Sequence, residues 1–117
     1  NGGLLRDSKG RKKAKRIWSN AARWCDYRGT IGEQTVGMSL LCHPENFRSS
    51  WMHARDYGFM AANPFGRKAM HKGEESKIIV KPGESLHLRF GVWIYETEPD
   101  AEIDIEAAYR KYIELCD

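Results

Sequence analysis

At 117 residues the chain suffices for one domain with a real core, and 41% apolar with 30% charged residues is an ordinary globular composition. No apolar run approaches the roughly 18–20 residues that span a membrane, so no membrane partner is expected. The net charge of +3 is local: residues 6–16 carry seven Lys/Arg against Asp7, leaving 12 basic and 15 acidic residues elsewhere, which argues against a general affinity for nucleic acid.

The chain opens on Asn1-Gly2-Gly3, a turn-type start, followed by the basic run Arg11-Lys12-Lys13-Ala14-Lys15-Arg16. No aromatic interleaves with those charges in a nucleic-acid signature, so 6–16 reads as a solvated, flexible loop between two strands. Residues 22–27 alternate, with Arg23, Cys25 and Tyr27 on one face and Trp24 and Asp26 on the other. A glycine-bearing turn over 28–33 follows. The next strand is predicted over 34–43, with Val36, Met38, Leu40 and Cys42 on its core side. Pro44 ends it, because proline has no N–H to give a ladder. Alternation then runs from Trp51 to Phe59 as one strand, and Asn63-Pro64-Phe65-Gly66 reads as a turn. Residues 78–80 form a short strand and 81–84 a Pro-Gly turn. The longest strand is predicted over 85–96, with Leu86, Leu88, Phe90, Val92 and Ile94 facing the core and Trp93 and Tyr95 facing away.

A helix over 103–116 closes the chain, since Ile105, Ala108, Tyr109, Tyr112, Ile113 and Cys116 fall on one apolar stripe. Tyr109 and Tyr112 read as packing residues. These elements predict a single mainly β domain over 1–117, an antiparallel β-sandwich or half-sandwich with one C-terminal α-helix. Trp93 and Tyr95, left uncovered on their face, predict a homodimer through a sheet face or edge with Trp93 near the contact.

The densest group of chemically capable side chains lies in 41–66. Period two puts Trp51, His53, Arg55, Tyr57 and Phe59 on one face. Aromatic plates beside planar donors suit a sugar or sugar acid: rings stack on C–H faces while guanidinium and imidazole hold hydroxyls or a carboxylate. Trp51, His53, Arg55, Tyr57 and Asn63 are therefore the expected substrate contacts, and His43 and Asp56 the expected proton handlers. The competing reading makes Arg55 and Asp56 structural ion-pair partners and Trp51 a cap on the core. His43, His53 and His87 raise the question of a metal, yet their spacing matches no HxH or HExxH pattern. No metal and no cofactor are expected. Three cysteines, Cys25, Cys42 and Cys116, form no CxxC, and their odd number argues against a full disulfide framework.

The phrase from His43 to Gly66, HPENFRSSWMHARDYGFMAANPFG, together with KPGESLHLRFGVWIY, Asn1-Gly2-Gly3 and Trp24-Cys25-Asp26-Tyr27, resembles the methane oxygenase A-like (PmoA) family. The likeness covers nearly the whole chain. Members of that family are considerably longer, so the resemblance implies that this sequence corresponds to their latter portion. The family name implies an oxygenase, whereas its members resemble β-sandwich proteins of bacteria that process carbohydrates. Carbohydrate binding or processing on a sheet face is the preferred expectation. A non-catalytic assembly module is the alternative, and a metal-dependent oxygenase the third.

Overall fold

The computed structural model describes residues 3–116, so the Asn1-Gly2 start lies outside the described residues. In chain order the elements are β1 (Leu4–Asp7), α1 (Ala14–Ile17), β2 (Trp24–Ile31), β3 (Gln34–Cys42), β4 (Trp51–Arg55), β5 (Phe59–Asn63), β6 (Phe90–Thr97) and α2 (Ile105–Cys116). Four strands form one antiparallel sheet in the order β1-β2-β3-β6, and β4 and β5 form a separate antiparallel hairpin. The expected class holds: the chain is mainly β, with two antiparallel sheets and one C-terminal helix.

Residues directly opposite in an antiparallel ladder share a face, so the register fixes what each face carries. One face of the large sheet presents Leu5, Cys25 and Cys42, which pack with Met52 and Ala54 of β4 and with Ala14, Ile17 and Ala22. Burial pushes the Cys25 thiol up to about 12 and the Cys42 thiol up to about 11. The other face presents Trp24 and Leu41 to Ile105 and Tyr109 of α2, with Trp93 and Tyr112 packed beside them. The Tyr109 hydroxyl donates to the Cys42 carbonyl at 2.7 Å, fastening α2 to the end of β3. The helix thus follows its predicted stripe, and Tyr109 and Tyr112 pack as expected.

Several elements differ from the sequence reading, each for an identifiable reason. The basic segment does connect two strands, but Ala14 and Ile17 turn inward as a helical turn and enter the core. Its start is pinned by buried Asp7, which accepts from the Arg11 side chain at 2.8 Å and from the Lys9 and Arg11 N–H groups at 3.0 Å. The predicted strand 51–59 ends at Arg55, and the chain reverses into a second strand that begins at Phe59. Asp56-Tyr57-Gly58 makes the turn, and Gly58 supplies the φ of +104° that the reversal requires. The long strand begins only at Phe90. Phe90 pairs with Cys42, β3 ends there, and Pro44 leaves residues 85–89 no ladder to join. For the same lack of a neighbour, 78–80 belongs to no strand.

The burial of β3 and β6 is inverted except at Cys42, which is buried as expected. Thr35, Ser39, Leu41 and Tyr95 are buried, while Met38, Val92 and Ile94 are 45%, 59% and 69% exposed. The helix covers the Trp93/Tyr95 face, and the β4–β5 hairpin is too narrow to reach from β1 across to β6. Trp93 therefore packs beneath α2, stacked 4.8 Å from Tyr95, and the uncovered apolar residues are Val92 and Ile94.

Candidate functional site

Two regions concentrate polar and aromatic chemistry, and the first is the outer face of the hairpin. Met52 and Ala54 point into the core, so period two turns Trp51, His53 and Arg55 outward. Arg55 pairs with Phe59 and Trp51 with Asn63, which puts those partners on the same outer face. The chain leaving α1 runs along the far side of β4, where Ser19 N–H donates to the Met52 carbonyl at 2.7 Å and Met52 N–H to Asn20 at 3.0 Å. That clasp sets Trp18 against the face. The His53 ring stands edge-on to Trp18 at 6.0 Å and to Phe59 at 5.2 Å. The Arg55 guanidinium sits 5.9 Å over Trp18, and Arg48 lies 5.6 Å over Trp51.

Of the expected contacts, Trp51, His53 and Arg55 come together here. Tyr57 does not: it occupies the hairpin turn, 73% exposed, because the strand reverses where alternation had been continued. Asn63 reaches the face by register, but its Oδ1 accepts from the N–H groups of Phe65 and Gly66 at 2.9 Å and holds the predicted turn. Trp18 was missed, and it lies outside the 41–66 stretch. Its signal was the aromatic that follows Ile17 at the end of the basic run.

His43 and Asp56 do not form an acid–base pair. His43 is buried at the end of β3, its Nδ1 accepting from Glu45 N–H at 3.1 Å, and it borders a cavity of about 250 Å³ with Glu45, Asn46, His87 and Arg89. Asp56 lies in the hairpin turn, where its Oδ1 accepts from Ala14 N–H at 3.0 Å and holds the first turn of α1. It lines a different cavity. His53 sits apart from His43 and His87, and no group of three or more His, Cys, Asp or Glu among the described residues is placed to hold a metal ion.

The second region is that other cavity, of about 760 Å³, which wraps the outer edge of β1, where Arg6 bridges to Lys12. Its floor is Asp26, only 1% exposed. The Ser39 hydroxyl donates to Asp26 Oδ1 at 2.6 Å, and the Tyr95 hydroxyl lies 3.0 and 2.9 Å from the two carboxylate oxygens. Tyr95 reaches β2 from β6 by lying across Gly37 of β3; a Cβ there would come within 2.1 Å of the ring. Burial holds the Asp26 carboxyl above the usual carboxylate range, against the opposing pull of Ser39, Tyr95, Arg6 and Arg28. Burial, and then the Asp26 charge, likewise raises Tyr95. Arg6 Nη2 donates to the Ile103 carbonyl and Arg28 Nη1 to the Ala101 carbonyl, both at 3.1 Å, so the connection between β6 and α2 is held over the site. The sequence carried the face of Asp26 correctly, but not its partners, because they come from two other strands.

A family model described as a family of unknown function (DUF6807) matches residues 1–110. The chain belongs to that family. DUF6807 carries no activity in its description, and nothing in it makes a link to the methane oxygenase A-like family. No curated protein and no solved structure matches the chain. No helix of the described residues is long and apolar enough to cross a membrane.

Proposed function

We propose that this protein binds carbohydrate on the outer face of the β4–β5 hairpin. The reading rests on one observation, the continuous surface made by Trp18, His53 and Phe59 with the Arg55 guanidinium over the indole. The rings offer partly exposed π faces to sugar C–H groups, and Arg55 and His53 supply planar donors to hydroxyls at the rim. The hairpin ladder holds His53, Arg55 and Phe59, and the hydrogen bonds between residues 19–20 and Met52 hold Trp18, before any ligand arrives, which lowers the ordering cost of binding. Titration of a panel of neutral and acidic monosaccharides against tryptophan fluorescence tests it. At least one sugar should change the signal, and Trp18→Ala and Arg55→Ala should each abolish that response while far-UV circular dichroism stays native. A wild-type protein inert to the whole panel overturns the reading.

A second reading, a homodimeric assembly module, is favoured by a different observation. Met38, Val92 and Ile94 form an exposed apolar strip, and β6 is an edge strand of the sheet. In this reading the contact lies at Val92 and Ile94 rather than at Trp93.

A further inference from the structure

The cavity at the β1 edge has capacity that its own hydrogen bonds do not use. Four cationic side chains border it: Arg6, Arg28, Lys12 and Lys13. Arg6 approaches Asp26 at 3.8 Å, too long for a hydrogen bond. Lys12, Lys13 and Arg28 form no ion pair with a carboxylate among the described residues. Each guanidinium gives one N–H to a backbone carbonyl of the overlying connection, which orients the fork without neutralising it.

The carboxylates of the cavity are differently engaged. Both oxygens of Asp26 already receive hydroxyl donors, and Asp56 Oδ1 receives the Ala14 N–H. Asp100 and Glu102 sit exposed on the connection, at the mouth. Lys13 adds an independent mark, for its backbone stands at φ +73° and ψ 144°, a strained conformation for a residue with a side chain. The strain places a lysine where glycine would fit more easily.

We infer that this cavity binds a small polyhydroxy acid of the uronate or aldonate class. Its carboxylate is held by the cationic group, and its hydroxyls by the acidic residues at the mouth. Fork-shaped guanidinium donors match a carboxylate in two parallel hydrogen bonds, and the exposed carboxylates Asp100 and Glu102 accept from vicinal hydroxyls. The volume falls within the range of small-molecule sites, about 300–1,000 Å³. This site is separate from the hairpin face and does not depend on sugar binding there.

Isothermal titration of the full chain with D-glucuronate, D-gluconate, D-glucose and inorganic phosphate at about 0.15 M salt, where surface attraction is screened, tests it. One of the two acids should bind, and glucose and phosphate should bind at least about tenfold more weakly. Arg28→Ala should weaken that acid by about tenfold or more. Because Arg28 also holds the connection, Lys13→Gly is the second variant. It relieves the positive φ, keeps a residue tolerated at a helix N-cap, and should weaken the acid by about threefold without loss of stability. Trp18→Ala should leave acid binding unchanged, whereas it abolishes binding at the hairpin face. No binding of either acid overturns the inference, as does equal binding of glucose or phosphate to Trp18→Ala, in which the hairpin face no longer contributes. Acid binding that survives both cavity variants but vanishes in Trp18→Ala also overturns it, and assigns the acid to the hairpin face.

Discussion

The two faces of the four-stranded sheet make opposite choices. On the face covered by α2 and the connection leading to it, the sheet buries polar groups: Asp26, Ser39 and the Tyr95 hydroxyl form a closed set of hydrogen bonds beside Trp24 and Leu41. On the far face the β4–β5 hairpin covers β1, β2 and the end of β3, and leaves Met38, Val92 and Ile94 in solvent. Side-chain polarity therefore does not decide which residues are inside. What decides is the width of the covering element and whether a buried polar group finds partners there, since an unpaired one costs about 1–3 kcal/mol.

Three perturbations sharpen that contrast. Gly37→Ala has the largest expected effect, because its Cβ would come within 2.1 Å of the Tyr95 ring, whose hydroxyl is hydrogen-bonded to Asp26. The ring must leave Asp26, and we expect a loss of about 1–3 kcal/mol in urea unfolding. An unchanged midpoint would show that Tyr95 is not held on the carboxylate. Next comes pH. The folded state raises the Asp26 carboxyl above its unfolded value, so the stability it contributes is complete below the ordinary carboxylate range and is lost as pH rises through the raised value. Asp26→Asn carries no such proton. Urea midpoints measured from acid to neutral pH should therefore show wild type losing ground against the variant as pH rises, and a constant difference would refute the shift. Ile94→Lys on the bare face should change monomer stability least, within about 0.5 kcal/mol. Its readout is light scattering: if the strip is a dimer contact, wild type exceeds the 13.5 kDa monomer mass and the variant returns to it. Monomeric wild type at micromolar concentration would dismiss the assembly reading.

Local pattern carried much of this fold. The α2 stripe, the two faces of β2, the Asn63–Gly66 turn and the outward alternation of Trp51, His53 and Arg55 were all legible from residue spacing. Two kinds of feature were not. Alternation says which residues share a face but not which face is covered, so β6 was read inside out. A turn whose only glycine sits within an alternating run is masked by that run, which hid the reversal at Gly58 and displaced Tyr57. The Asp26 centre was hidden for a further reason. Its hydroxyl donors, Ser39 and Tyr95, stand 13 and 69 residues away, and only the ladder register assembles them.

The reach of Tyr95 across Gly37 also acts as a registration key for an edge strand. Sliding β6 by one residue along β3 would turn Tyr95 to the opposite face and move Trp93 out from under the helix. Sliding it by two keeps the faces but brings a side chain other than Tyr95 opposite Gly37, the one gap in β3 that a ring can cross. Only one alignment seats the phenol on the carboxylate. A strand with one unpaired side and several apolar residues is otherwise free to pair in shifted frames, so here a single hydroxyl, a single glycine and a single carboxylate enforce alignment at the sheet margin.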